Sequence, residues 1–158
     1  MELLLRKAGL TRHQIDNRGA RLNVKSQIKF LELAATTLKD EFLGFHLAQT
    51  FDLRLMGLFY YVLASSETLE EALRRGARYS AIVNEGIALK YRQGRDIGVR
   101  FEYVGVARHL DRHQIEGSMV TLLRTCRQLT NRHLPSARVS FTHRRAAIPQ
   151  SSTPSSAV

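Results

Sequence analysis

No stretch of the sequence approaches the ~18 consecutive apolar residues that a membrane-spanning helix requires. The opening segment carries only three consecutive leucines, Leu3, Leu4 and Leu5, between Glu2 and Arg6, too short for the apolar part of a secretory signal. Cys126 is the one cysteine, so an internal disulfide is excluded and a secreted, disulfide-stapled scaffold with it. These absences read as a cytoplasmic chain with no membrane partner. Catalytic patterns are missing too. There is no G-x-S-x-G nucleophile turn, no glycine-rich phosphate loop, no H-E-x-x-H and no C-x-x-C. The chain therefore reads as non-enzymatic, with no cofactor. His109-Leu110-Asp111-Arg112-His113 has two histidines at helical spacing, but no third ligand follows, and Arg108 and Arg112 oppose a bound cation. No metal site is expected; Asp111 reads instead as a helix cap.

Acidic residues are few, 14 against 24 basic ones, for a net charge of +10. Residues 1–30 carry seven basic and two acidic groups, residues 31–102 nine and ten, and residues 103–158 eight and two. The excess thus sits at the two ends, without a run of five basic residues and without the interleaved aromatics of a single-strand binder. A direct, non-specific nucleic-acid binder is the alternative this charge raises, and a solvated basic surface is the favoured reading.

What is present is the pattern of one ordinary α+β domain. Apolar residues make up 44% and charged residues 24%, close to globular averages. Ile28, Leu31, Ala35 and Leu38 recur at spacings of three and four and predict a helix over 25–39. A brief helix follows over 42–49. The apolar run 55–64, with Phe59, Tyr60 and Tyr61, predicts a central helix covered on most sides. Thr68-Leu69-Glu70-Glu71 has the spacing of a capping box and starts the next helix at Leu69. Strict alternation then replaces the helical period. Ile87, Leu89 and Tyr91, and after a turn at 93–96 Ile97, Val99, Phe101 and Tyr103, predict a β-hairpin. A long helix over 112–132 carries a seam of Ile115, Met119, Leu122, Cys126 and Leu129, flanked by Val120 and Leu123. Val139 and Phe141 alternate with polar residues and predict a third strand over 138–143. The last thirteen residues, 146–158, hold four serines and two prolines without charge or aromatics, and predict a disordered tail after a domain spanning 1–145.

The run from Met56 to Arg75, with Gly57, the apolar stretch to Ala64, Ser65-Ser66, Thr68-Leu69, Glu71 and Ala72-Leu73-Arg74, resembles the N-terminal effector domain of AraC/XylS-type transcription regulators. Leu31-Glu32-Leu33-Ala34-Ala35, Asp40, Gly44-Phe45-His46-Leu47-Ala48, Arg78-Tyr79, Leu129-Thr130-Asn131 and Val139-Ser140-Phe141-Thr142-His143 extend it, in order, over residues 1–145. One departure is Gly76, where such proteins carry a larger apolar residue. Another is the end of the chain, which runs into Ser, Thr and Pro where relatives continue through the rest of the sensor and two helix-turn-helix units. The resemblance implies an incomplete effector-sensing and self-association domain of a bacterial regulator, binding a small-molecule effector, working as a homodimer, and reaching DNA only through a C-terminal domain absent here. The candidate ligand residues are Phe59, Tyr60, Tyr61, Arg78, Tyr79, Arg100 and Tyr103, concentrated between the helices at 55–64 and 69–83 and the hairpin. The candidate dimerisation residues are Ile115, Met119, Leu122, Leu123 and Cys126.

One consequence concerns DNA. With no recognition-helix pair to reach base edges, the isolated chain should retard duplex DNA only weakly, without sequence preference, and progressively less as salt rises. A defined protected footprint at physiological salt is the contrary result.

Overall fold

A computed structural model of the chain describes residues 1–17, 19–94, 97–107, 110–136 and 138–143. The predicted tail at 146–158, the tip of the hairpin turn and His109 lie outside the described residues. In chain order the structure runs α1 (Glu2–Ala8), α2 (Arg12–Asp16), α3 (Val24–Leu38), α4 (Leu43–Thr50), a 3₁₀ turn (Leu53–Met56), α5 (Leu58–Ala64), α6 (Leu69–Val83), β1 (Ile87–Arg92), β2 (Gly98–Tyr103) and α7 (Arg112–Thr130). The fold class is α+β, as expected.

Local chemistry explains most boundaries. Thr11 caps α2 through its hydroxyl, which accepts from the Gln14 N–H, while the Gln14 side chain accepts from the Thr11 N–H at 2.9 Å. Thr68 accepts from the Glu71 N–H at 3.1 Å, and Glu71 reaches one residue further back than a capping box requires, accepting from the Glu67 N–H. β1 and β2 pair antiparallel with Ile87 opposite Tyr103, Leu89 opposite Phe101 and Tyr91 opposite Val99, so both apolar rows share one face. That face lies on α6.

Three expectations are corrected. The apolar run 55–64 is not one helix: at Gly57 the backbone turns to φ 62°, ψ −137°, which ends the 3₁₀ turn and forces α5 to start afresh. Nor is α5 covered on most sides. Leu63 is buried, but Leu55, Leu58 and Tyr61 are exposed at 71%, 67% and 59%. The third strand does not form either, and among the described residues the sheet has two strands. Leu134 and His143 are instead held on α7, where Arg127 Nε donates to the Leu134 carbonyl at 3.1 Å and His143 Nε2 sits 2.8 Å from Glu116 Oε1. Glu116 is buried at 5% exposure, and a buried carboxylate strongly favours partners that satisfy it. His143 and Arg112, whose Nε is 3.4 Å from the same oxygen, are those partners. Asp111 does occupy the N-cap position of α7, but its side chain does not make the capping bond.

Two packed regions share α3. Leu5, Ala8 and Leu10 are buried against Leu22, Phe30 and Leu33, docking α1 on α3. On the other side α7 lies beside α4 with the two helices running in the same direction. The contact is between backbones. A Cβ on Gly44 would overlap the His113 carbonyl oxygen and lie 2.8 Å from its carbon, and one on Gly117 would stand 3.1 Å from the Gly44 oxygen. α7 also grips α4 with two arginines: Arg112 Nη2 donates to the Glu41 carbonyl at 2.7 Å, and Arg124 Nη1 donates to the carbonyls of Ala48 and Phe51. The second pair satisfies carbonyls at the end of α4 that the helix itself leaves unpaired.

Gly44→Ala tests this contact, because the added methyl meets backbone atoms that have no rotamer to yield. It should cost about 3 kcal/mol, the upper end of ordinary overpacking, read as a lowered urea midpoint by circular dichroism. An unchanged midpoint contradicts the close approach.

Candidate functional site

A cleft of about 360 Å³ lies in the middle of the fold, a volume within the range of small-molecule sites. One wall is α7 with α4, the other α5, α6 and the hairpin, and Gln27 and Leu31 of α3 contribute to its lining. The apolar lining is contributed by every one of these elements, with Leu47 from α4, Phe59 and Leu63 from α5, Leu69, Ala72 and Leu73 from α6, Ile87, Leu89 and Phe101 from the hairpin, and Leu122, Cys126 and Leu129 from α7. Polar groups concentrate on α7. Gln114, Ser118, Thr121 and Thr125, spaced by four, three and four residues, form one strip along it, with His113 at its head.

The hydrogen bonding of this strip defines what it offers. Ser118 Oγ donates to the Gln114 carbonyl at 2.9 Å and stands 3.0 Å from Tyr103 Oη. Since its single proton is spent on the carbonyl, the tyrosine is the donor. Thr125 Oγ1 donates to the Thr121 carbonyl at 2.8 Å. On the opposite wall Ser80 Oγ donates to the Ala77 carbonyl at 3.3 Å. Tyr103, 6% exposed, is held above its ordinary pKa by burial, against which its hydrogen bonds to Ser118 and Gln114 work. Burial likewise pushes the Cys126 thiol up, which leaves it a poor nucleophile. His113 is 4% exposed; its Nε2 is 3.9 Å from Glu32 Oε2 and its Nδ1 has no hydrogen-bond partner. Among the described residues no three His, Cys, Asp or Glu side chains gather as a metal site, and no helix is long and apolar enough to cross a membrane.

The candidate ligand residues separate in space. Phe59 lines the cleft, and Tyr103 abuts it through Ser118. Tyr60 is half-buried and accepts from Gln128 Nε2 at 2.7 Å, with Tyr61 edge-on to its ring at 5.5 Å and largely in solvent. Arg78 is exposed with its guanidinium 5.4 Å from the ring centre of half-buried Tyr79, and both border a separate shallow depression with Arg74 and Arg75. Arg100 lies on the solvent side of the hairpin, 2.8 Å from Glu102. The candidate dimerisation residues divide as well. Leu122 and Cys126 face the cleft, whereas Ile115, Met119 and Leu123 are half-buried and do not line it. The polar strip of α7 was not singled out by the sequence reading, which followed the apolar seam.

Across residues 1–153 the chain matches the family model described as the arabinose-binding domain of AraC transcription regulator, N-term. No curated protein matches it.

Tyr103→Phe removes the donor to Ser118 and should cost about 1 kcal/mol at neutral pH. The sign of the pH dependence follows from the raised pKa. Above the ordinary tyrosine value of about 10, the unfolded chain has lost a proton that folded Tyr103 still holds, so wild-type stability falls as pH rises through that window. The phenylalanine variant lacks this loss. The stability gap between the two, from urea unfolding, should therefore narrow above about pH 10; a constant gap contradicts the buried, proton-donating phenol.

Proposed function

Because the chain belongs to the family of N-terminal arabinose-binding domains of AraC transcription regulators, we propose that it is an effector-sensing domain whose small-molecule site is the central cleft between α7 and the α5, α6 and hairpin wall. The observation that carries this reading is the cleft's construction: most of its lining is apolar, more of its polar groups stand in one strip on α7 than on the other walls together, and five helices and the hairpin converge on it. It acts by binding rather than by turnover. Of the side chains at the cleft, the Cys126 thiol has a raised pKa, the Tyr103 phenol holds its proton, the hydroxyls of Ser118 and Thr125 are committed to carbonyls, and His113 stands near the Glu32 carboxylate with no hydroxyl or thiol bonded to it, so no activated nucleophile is built there. DNA recognition belongs to a different part of the regulator.

Self-association, on the same proposal, uses the flank of α7 formed by Ile115, Met119 and Leu123, because Leu122 and Cys126 are committed to the cleft wall. The basic surface is not the functional face. Arg74 and Arg75 pair with Glu70 and Glu71 one turn earlier, at 2.8 and 2.6 Å, and Arg12, Arg54 and Arg100 pair with Asp16, Asp52 and Glu102. These exposed pairs tie the guanidiniums to neighbouring carboxylates instead of aligning them as a phosphate track, although the net excess of +10 is unchanged by pairing.

Two outcomes are expected. In a thermal-shift screen over sugars, amino acids, alcohols, aromatic acids and fatty acids, a stabilising compound should lose its effect on Leu122→Trp, which fills the cleft, and keep it on Arg78→Ala and Tyr61→Phe, which lie outside it. Loss on Arg78→Ala alone places the site in the shallow depression. In sedimentation velocity, Leu123→Glu should yield a monomer with wild-type circular dichroism; an unfolded variant shows that the residue serves the chain's own packing.

A further inference from the structure

Among the described residues the lining of the cleft contains no lysine, arginine, aspartate or glutamate, and its ionisable groups are His113 and Cys126. We infer that the ligand class this cleft takes is an uncharged, mainly apolar small molecule with few hydrogen-bonding groups gathered at one edge, rather than a carboxylate, a phosphate or a free sugar. The inference rests on the proposed sensing role of the cleft and adds to it the chemistry of what is sensed.

Three observations decide among ligand classes. A buried anion needs a compensating cation or several aimed donors, since burial otherwise favours its neutral form. On α7, Arg124, adjacent in sequence to the cleft-lining Thr125, has its Nη1 committed to the carbonyls of Ala48 and Phe51. The charged side chain closest to the cleft-lining histidine is the anionic Glu32, 3.9 Å from His113 Nε2, which repels a second negative charge. A free sugar presents hydroxyls on every side and each must find a partner when buried. Here the wall made by α5 and the hairpin is apolar, through Phe59, Leu63, Leu89 and Phe101, and the hydroxyls of Ser80, Ser118 and Thr125 already donate to backbone carbonyls. What remains for a ligand is chiefly at the α7 edge, with Gln114, the Thr121 hydroxyl and the buried His113, whose Nδ1 is unpartnered; elsewhere in the lining only Gln27 and Asn84 carry side-chain amides, and these already hold the Leu22 carbonyl and the Gly86 N–H. Gly76 extends the apolar wall, because a side chain there would crowd Leu63 at 3.3 Å and Leu89 at 3.5 Å.

The test is a matched-probe titration on the full chain. N-phenyl-1-naphthylamine is neutral, and 8-anilino-1-naphthalenesulfonate is the same skeleton with a negative charge. The neutral dye should bind saturably at one site per chain and at least about tenfold more tightly than the sulfonate, equivalent to ~1.4 kcal/mol. 1-Decanol should displace it, decanoate at least about tenfold less well and L-arabinose not at all. Thr121→Lys places an ammonium group in the wall and should reverse the order of decanol and decanoate. Leu122→Trp should abolish dye binding, while Leu58→Lys, on the exposed side of α5, should leave it unchanged; circular dichroism verifies that each variant is folded. Decanoate or L-arabinose as the better ligand, with binding still lost in Leu122→Trp, overturns the ligand class and leaves the cleft standing as the effector site. Saturable binding of no probe, or binding removed by Leu58→Lys and not by a cleft variant, overturns the effector site and the inference together.

Discussion

The contact on which this structure depends is the meeting of two helix backbones, α4 and α7, at Gly44, His113 and Gly117. Helices pack this closely only where side chains are absent, and two glycines on facing helices remove the side chains that would otherwise hold the axes apart. Arg112 and Arg124 then fix the translation of one helix along the other, the first on the carbonyl of Glu41 and the second on those of Ala48 and Phe51. With both distance and translation set, the rotation of α7 follows. Its strip from Gln114 to Thr125 faces the cleft, and Glu116 is carried to the other side, where it receives His143. The cleft wall and the docking of His143 are therefore two results of one packing decision.

That decision was only partly legible in the sequence. The bounds of α3, the start of α6 at Thr68 and the register of the hairpin followed from periodicity and capping, which are local properties. The Thr11 to Gln14 capping box is equally local, but the helix it starts is only five residues long and carries no apolar period to mark it. What could not be read locally was which face of α7 turns inward. Its apolar seam pointed to Ile115, Met119, Leu122 and Cys126, yet the fully buried positions include His113, Glu116 and Thr125. Thr125 is buried on the helix's own carbonyl and Glu116 Oε1 on Arg112 and His143, and a polar group satisfied in this way does not show in a hydrophobicity pattern. The segment 138–143 failed as a strand for a related reason: alternation gives a face but not a partner, and His143 at its end is held on the buried Glu116 of α7 instead.

The candidate ligand residues show the same division between pattern and place. Aromatic and arginine content drew attention to the region between α5, α6 and the hairpin, where Phe59 lines the cleft. Tyr61, Arg78 and Arg100 point away from it, the last held by Glu102 across the solvent face of the hairpin. A guanidinium seen in a sequence is a promise of anion recognition only if the fold turns it inward. In this chain the arginines serve structure, capping α4, anchoring Leu134 through its carbonyl and pairing along α6, and the cleft is left without charged side chains. The enclosure that results is mainly apolar, with its polar groups chiefly along α7.

Hydrogen exchange read by mass spectrometry on the full chain, with and without saturating N-phenyl-1-naphthylamine, tests this account most directly. The account predicts that α4 and the 113–126 stretch of α7 exchange slowest and together, as one unit built on the glycine contact, and that the dye slows α5, α6 and the hairpin further without altering α1 and α2. Exchange in α7 as fast as in the hairpin, or protection by the dye confined to α1 and α2, contradicts it.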